Sequence, residues 1–343
     1  MRAKTFQHPG AASLLVSLGA FLAVSTAGAQ TFSDWSAPVD LNQLPNQQQP
    51  INSVATDQHP AISKNGLSLY FSSDRTPGGC GGMDIWVTQR ASLDSPWEEP
   101  FNLGCAINSS ANDLAPNLST NGHLLFFHSF RSGGCGGGDV YYAHRQHAWD
   151  DTGWEAPRNL NRFGLDPQAS LPCGEVGSSS FVNTPMTDAG PNYFQDDATG
   201  ATLLYFTRSD QPTMLGDFDI YLATLAADGT WGTVTRDDQL SSPYRDTRTA
   251  IRRRDGLEMI LSSERSGGLG NPSRDLWVST RSSTQDPWAI PVPLPNVNST
   301  ALDGGPAISW DGTELYFTSN RTDPGGAGGS DLYLSTRTKI TGP

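Results

Sequence analysis

Asp84-Ile85-Trp86-Val87 is one copy of a motif that returns four times, as Asp139-Val140-Tyr141-Tyr142, Asp219-Ile220-Tyr221-Leu222, Asp275-Leu276-Trp277-Val278 and Asp331-Leu332-Tyr333-Leu334. An aspartate opening a run of aliphatic and aromatic residues reads as a buried strand with a turn before it. The spacings are 55, 80, 56 and 56 residues, so a period of about 56 carries a single insertion. A fixed period of this length decides the fold before any other feature is weighed.

Other landmarks keep the period. Trp35, Trp97, Trp154, Trp231 and Trp288 each precede a leucine, namely Leu41, Leu103, Leu160, Leu240 and Leu294. Four of these segments carry a proline three residues past the tryptophan: Pro38, Pro100, Pro157 and Pro291. Pro60-Ala61-Ile62-Ser63, Pro116-Asn117-Leu118-Ser119 and Pro306-Ala307-Ile308-Ser309 run into turns at Asn65-Gly66, Asn121-Gly122 and Asp311-Gly312. Apolar strands such as Leu69-Tyr70-Phe71 follow, which is a strong hairpin signal. Each unit therefore reads as four strands, a to d, and five such units predict an all-β, five-bladed β-propeller. The phase of the repeat places a d strand (Trp35–Leu41) first and strands a to c (Pro306–Arg337) last. The fifth blade must then take its outer strand from the N-terminus, which closes the ring without an open edge.

The run Asp57, Gly66, Ser73, Arg75, Gly82, Asp84 resembles the TolB-type, WD40-like β-propeller repeat, and the likeness recurs five times across residues 35–337. The resemblance implies the fold and, as one version of function, periplasmic protein contacts. No TolB-like N-terminal domain accompanies it here, and a fold of this kind hosts many activities.

Residues 1–29 read as an export signal: Arg2 and Lys4, a short apolar run from Ala11 to Ser25, and Ala27-Gly28-Ala29 as the cleavage motif. The run is too short for a membrane anchor, and the first cysteine is Cys80, so no lipoprotein anchor is expected. Residues 30–343 are expected to form one secreted or periplasmic propeller domain. Formal charge is −13, or −15 once Arg2 and Lys4 are removed, which argues against nucleic acid and anionic membranes as partners.

In a propeller the d–a and b–c connections share one face, and here they carry most of the variation. Cys80 and Cys135 hold the same slot in consecutive b–c loops, and Cys105 and Cys173 lie in the d–a connections that follow. In an exported chain this predicts disulfides Cys80–Cys105 and Cys135–Cys173 rather than a metal site. The glycine clusters around Gly78, Gly133, Gly267 and Gly325 read as tight turns with positive φ before they read as anion nests.

Aspartates precede every strand a (Asp57, Asp113, Asp188, Asp246, Asp303), and arginines follow strand b in four blades (Arg75, Arg131, Arg265, Arg321). This predicts a structural network of carboxylates and guanidinium groups. Blade 3 departs, with Arg208 displaced into the strand, Asp210 in the arginine slot, and a long d–a insertion containing Glu175 and Asn183. Blade 4 departs through Arg245, Arg248, Arg252, Arg253 and Arg254. An asymmetric ligand must be read by such departures, so Glu175, Asp188, Arg208, Asp210, Asp246, Arg248 and Arg252 form the expected ligand set.

No serine elbow, zinc-binding helix, phosphate loop or calcium loop is present. The histidines His59, His123, His128, His144 and His147 neither repeat nor pair, and read as surface or packing residues. No cofactor or metal is implied. The favoured expectation is a non-enzymatic binding or scaffold propeller that holds a glycan, peptide or protein on the d–a/b–c face. The alternative is a polysaccharide hydrolase or lyase with carboxylates at the channel mouth, where Asp57 would serve as base, Asp113 as its neighbour and Glu175 as acid.

Overall fold

The computed structural model describes residues 30–340 except 166–169, 171, 210–214, 271–272 and 323–325; the expected export signal lies outside the described residues. Five four-stranded antiparallel sheets form a five-bladed propeller. Blade 1 comprises Asp57–Ile62, Ser68–Ser73, Asp84–Gln89 and Phe101–Asn102, strands a to d from channel to rim. Blade 2 comprises Asp113–Leu118, Leu124–Ser129, Asp139–His144 and Arg158–Asn159. Blade 3 comprises Asp188–Gln195, Thr202–Arg208, Asp219–Leu225 and Trp231–Arg236. Blade 4 comprises Asp246–Ile251, Glu258–Ser263, Asp275–Thr280 and Val292–Pro293. Blade 5 comprises Asp303–Ile308, Glu314–Ser319, Asp331–Thr336 and, from the N-terminus, Val39–Asp40.

Strand d differs from the sequence expectation in length. It is two residues long in four blades and six in blade 3. The cause is the proline three residues past the tryptophan, which removes a ladder donor. Blade 3 has Val234 in that slot, and there the strand starts at Trp231 itself. The tryptophans keep one job throughout: Trp35, Trp97, Trp154, Trp231 and Trp288 are all buried between blades. An arginine just after strand c stacks on four of them, Arg90 on Trp97, Arg145 on Trp154, Arg281 on Trp288 and Arg337 on Trp35, at 4.1–4.5 Å. Each also donates from Nε to the carbonyl of the a–b turn glycine (Gly66, Gly122, Gly256, Gly312). Leu225 holds the equivalent place in blade 3.

Neighbouring blades are joined by side-chain amides. Asn52, Asn108, Asn183 and Asn298 each accept from the N–H and donate to the carbonyl of one strand-c residue in the preceding blade: Leu332, Ile85, Val140 and Leu276. Ser241 does the same at Ile220. Asn183 of the blade-3 insertion is thus one of the ring's clamps.

Two features close the ring. Val39–Asp40 pairs with Leu334 and Tyr333 of strand c in blade 5, and Thr31–Phe32 pairs outside the blades with Lys339–Ile340. Both expected disulfides are present, Cys80–Cys105 and Cys135–Cys173, with sequence separations of 25 and 38. They join the b–c loops of blades 1 and 2 to the d–a connections that follow. The glycine clusters serve two ends. Gly78 has φ +110°, as the turn expectation requires, whereas a Cβ on Gly136 would lie 2.3 Å from the Met186 carbonyl of the next blade.

Removing residues 30–41 takes away both closing strands and buried Trp35. Loss of a core tryptophan costs about 3–5 kcal/mol, so the truncated chain should be insoluble or melt far lower. An unchanged melting temperature would contradict the closure. Replacing Cys80 and Cys105 by serine should cost about 3 kcal/mol by loop-closure entropy, read as a lower urea midpoint. Reducing the parent protein, which opens both bridges, should lower the midpoint further than the double substitution does.

Candidate ligand site at the channel mouth

The d–a/b–c face is built on five repeats of one ion pair. Asp57–Arg75, Asp113–Arg131, Asp188–Arg208, Asp246–Arg265 and Asp303–Arg321 meet at 2.5–2.7 Å, with every carboxylate side chain fully buried. The second oxygen of each accepts from the backbone N–H and hydroxyl of a residue four earlier: Ser53, Ser109, Thr184, Ser242 and Ser299. In blade 3 the arginine sits where the others have serine, and Arg208 reaches Asp188 directly through Nε. Its remaining N–H groups hold Ser178, Phe181 and Val182, so it anchors the insertion. Burial pushes the Asp188 carboxyl up to about 6 against the pull of Arg208 and Thr184. The strand-c aspartates cap their own b–c loops, as Asp84 does at Cys80 and Asp139 at Cys135.

These pairings account for most of the expected ligand residues. Asp188, Arg208 and Asp246 are saturated inside the repeat. Arg252 lies on the opposite face, bound to Asp255 and Glu258. Glu175 is exposed and does not line the mouth cavity, and Asp210 lies outside the described residues. The hydrolytic cast does not assemble, because Asp57 and Asp113 are fully buried in their own ion pairs.

Arg248 is different. The third residue of every strand a is a bulge with positive φ: His59 (+56°), Ala115 (+56°), Gly190 (+58°), Arg248 (+39°) and Gly305 (+58°). The bulge turns the strand and offers its N–H to the previous blade, as Ala115 does to Ser72, Gly305 to Ser262 and His59 to Thr318. Blades 2, 3 and 5 put the smallest side chains there. Blades 1 and 4 instead send a histidine and an arginine into the channel. Ser72, Thr207, Ser262 and Thr318 share a second slot, and blade 2 places His128 in it. His59, His128 and Arg248 are therefore three departures from the repeat at one height. His59 and His128 were missed by the sequence reading; aligning the blades residue by residue reveals both.

They line a cavity of about 270 Å³ together with Leu114, Phe130, Thr187, Phe218, Thr247, Arg245 and Arg274. Among the described residues lining it, none carries a carboxylate. Arg245 and Arg274 have acids behind them, Asp217 and Glu264. Arg248 has none: its Nη2 donates to the Pro60 and Pro116 carbonyls, and its Nε and Nη1 are buried without an acceptor. Deeper in the channel Arg253 donates only to the Leu118 and Ile62 carbonyls. Burial lowers Arg248 to about 9 and Arg253 to about 10, leaving both charged at neutral pH. The Nδ1 atoms of His59 and His128 and the Thr247 hydroxyl are likewise buried and unpaired. Burial, and next Arg248, hold His59 well below the usual imidazole range; the same causes bring His128 down to about 3 against the pull of Asp113. The cavity is thus cationic, with two neutral imidazoles and aromatic walls. A larger hollow on the opposite face, about 940 Å³, is bordered by Arg252, Glu258 and Arg337, which satisfy one another.

No family model and no curated protein matches the chain. Solved structures do. An α-L-arabinofuranosidase from Lactobacillus brevis shares 15% identity at TM-score 0.53, over 82% of this chain and 91% of that one. An endo-arabinase from Bacteroides thetaiotaomicron shares 14% at 0.51, over 85% and 97%. An α-L-arabinofuranosidase from Podospora anserina in complex with cellotriose shares 12% at 0.51, over 90% and 97%. These neighbours are glycoside hydrolase propellers rather than TolB-type repeat proteins, and they overturn the expectation that the chain is a scaffold before it is an enzyme. At such identities the likeness establishes the five-bladed fold. The two disulfides fit an oxidising, extracytoplasmic setting, and among the described residues no helix is long and apolar enough to cross a membrane.

The two imidazoles make a signed pH prediction. In the unfolded chain they take up protons near 6.5, whereas in the folded chain they remain neutral well below that. The unfolded state then binds more protons, so stability falls as pH drops below about 6.5. Replacing His59 by glycine and His128 by threonine, residues other blades carry in those slots, should flatten the decline. Between pH 6.5 and 5 the variant should lose about 1.6 kcal/mol less per histidine. Denaturant melts with identical pH dependence in both proteins would contradict buried neutral rings.

Proposed function

We propose that this chain is an exported polysaccharide-active enzyme that takes one sugar unit of its substrate into the channel-mouth cavity. The carrying observation is the cavity itself, where the blades' departures from their repeat collect around unpaired polar atoms. Its volume lies at the small end for ligand sites, which fits a single ring with the rest of the chain running across the face. Phe130 and Phe218 offer apolar walls for a sugar ring, and Thr247 with the two imidazoles offers hydroxyl partners. The propeller neighbours support the catalytic reading over a scaffold, since the same ring carries glycosidase chemistry in them. Export would follow removal of residues 1–29 near Ala29, with residues 30–343 forming the working domain.

The test is a polysaccharide panel read for both new reducing ends and unsaturated products, using the parent and a Leu114→Trp variant that fills the cavity. The parent should cleave at least one polymer. The filled variant should lose at least tenfold in turnover while its melting temperature stays within a few degrees. Retention of a polymer without cleavage, or turnover indifferent to the tryptophan, would contradict the proposal.

A further inference from the structure

The channel carries a charge imbalance that the fold does not explain. Every carboxylate of the strand-a ring is matched by its own arginine, so the ring contributes no net charge. Arg248 and Arg253 are then added on the axis with only carbonyls as acceptors. Buried guanidinium groups without a carboxylate are costly, and this occurs in a chain of net charge −13 with acids in excess. Arg248 also sits at φ +39°, in a slot where two blades use glycine without loss of the bulge. Backbone strain and uncompensated charge at one residue mark a position held for something other than stability.

Resting on the polysaccharide reading, we infer that the unit entering the cavity bears a carboxylate: the site takes a uronate residue of an acidic glycan, its charge answering Arg248 with Arg274 and Arg245 beside it. The lining supports this by what it contains and by its order. Cations form the floor and the blade-4 side, the neutral imidazoles of His59 and His128 stand beside Arg248, and no described lining residue is an acid. A pair of carboxylates, which glycoside hydrolysis ordinarily uses, is not assembled there. A uronate offers a different route that these groups can serve. The imidazole of His59 takes the proton from C5, next to the carboxylate whose developing negative charge the arginines offset. The C4–O bond breaks, a C4=C5 double bond forms, and the proton that His59 took from C5 passes from its imidazolium, directly or through water, to the departing sugar oxygen. Atoms and electrons balance without oxidant or reductant, and one product is an unsaturated uronate.

The experiment measures binding apart from turnover. Calorimetry compares galacturonate and glucuronate with their methyl esters, with galactose and with galactose 6-sulfate, on the parent and on Arg248→Gly. A uronate should bind at least tenfold more tightly than its ester or the neutral sugar. Arg248→Gly should weaken it by about tenfold to a hundredfold, the worth of a charged hydrogen bond, with a melting temperature unchanged or higher. A second variant, Arg274→Gln, should weaken it less and keeps the test open if glycine disturbs the channel. Equal affinity for acid, ester and neutral sugar, or full affinity in both variants, would overturn the inference. Preference for the sulfate ester would also overturn the uronate assignment. Cleavage of a neutral polymer with no uronate binding would sink this inference and leave the polysaccharide reading standing. Uronate binding with no unsaturated product from a 4-linked polyuronate would overturn the elimination step and leave the uronate site standing.

Discussion

The ring holds together because a side chain from each blade, an asparagine amide in four and the Ser241 hydroxyl in the other, takes the place of a strand partner on the blade before it. Asn52 is the decisive copy, since it ties the first blade to Leu332 of the last across 280 residues. Such two-point clamps fix the rotation between blades, which in turn sets where the innermost strands converge. The ion pairs then fix the height at which each strand a begins. With rotation and height set five times over, the third residue of every strand a arrives at the same level of the channel. Any large side chain placed there must point at the axis. The candidate site is therefore a consequence of the repeat, made specific by blades 1, 2 and 4, which break it at His59, His128 and Arg248.

The same logic explains why so many charged residues have no role at the site. A carboxylate buried against an arginine and two hydroxyl or amide donors is committed, and breaking one such pair typically costs about 3–5 kcal/mol. Groups committed in this way are held by the fold, and the positions left for a ligand are those whose side chains are dispensable to it. The bulge slot is one, since alanine and glycine fill it in three blades. The hydroxyl slot of strand b is another, where His128 replaces serine or threonine. Two such exchanges and one arginine change a regular channel into a cationic cavity.

Much of this was legible in the sequence. The period, the phase that forces N-terminal closure, the disulfide pairs and the structural reading of the aspartate–arginine network all follow from landmarks that recur. The short d strands were not read from the sequence, although the proline that removes the ladder donor stands in four of the five segments. What escaped was anything carried by a single residue in a slot whose other occupants are unlike it. His59 and His128 show no periodicity of their own, and only the blade register reveals that they stand level with Arg248. Arg208 misled in the opposite way: its displacement looked like a functional departure, yet two residues back along the strand its Nε still reaches Asp188. Arg90, Arg145, Arg281 and Arg337 recur six residues past the strand-c aspartate and were legible, but without the tryptophan geometry nothing distinguished them from surface charge.

The candidate site requires that an anion enter among His59, His128 and Arg248. Side-chain nitrogen NMR of the histidines, followed as galacturonate is added near neutral pH, addresses it directly. A carboxylate beside Arg248 would relieve the positive field on the two rings, so the His59 and His128 nitrogens should shift in saturable fashion and begin to protonate at higher pH. The exposed pair His144 and His147 should remain as they were. If the exposed pair moved and the channel pair did not, the cavity would not be the anion site.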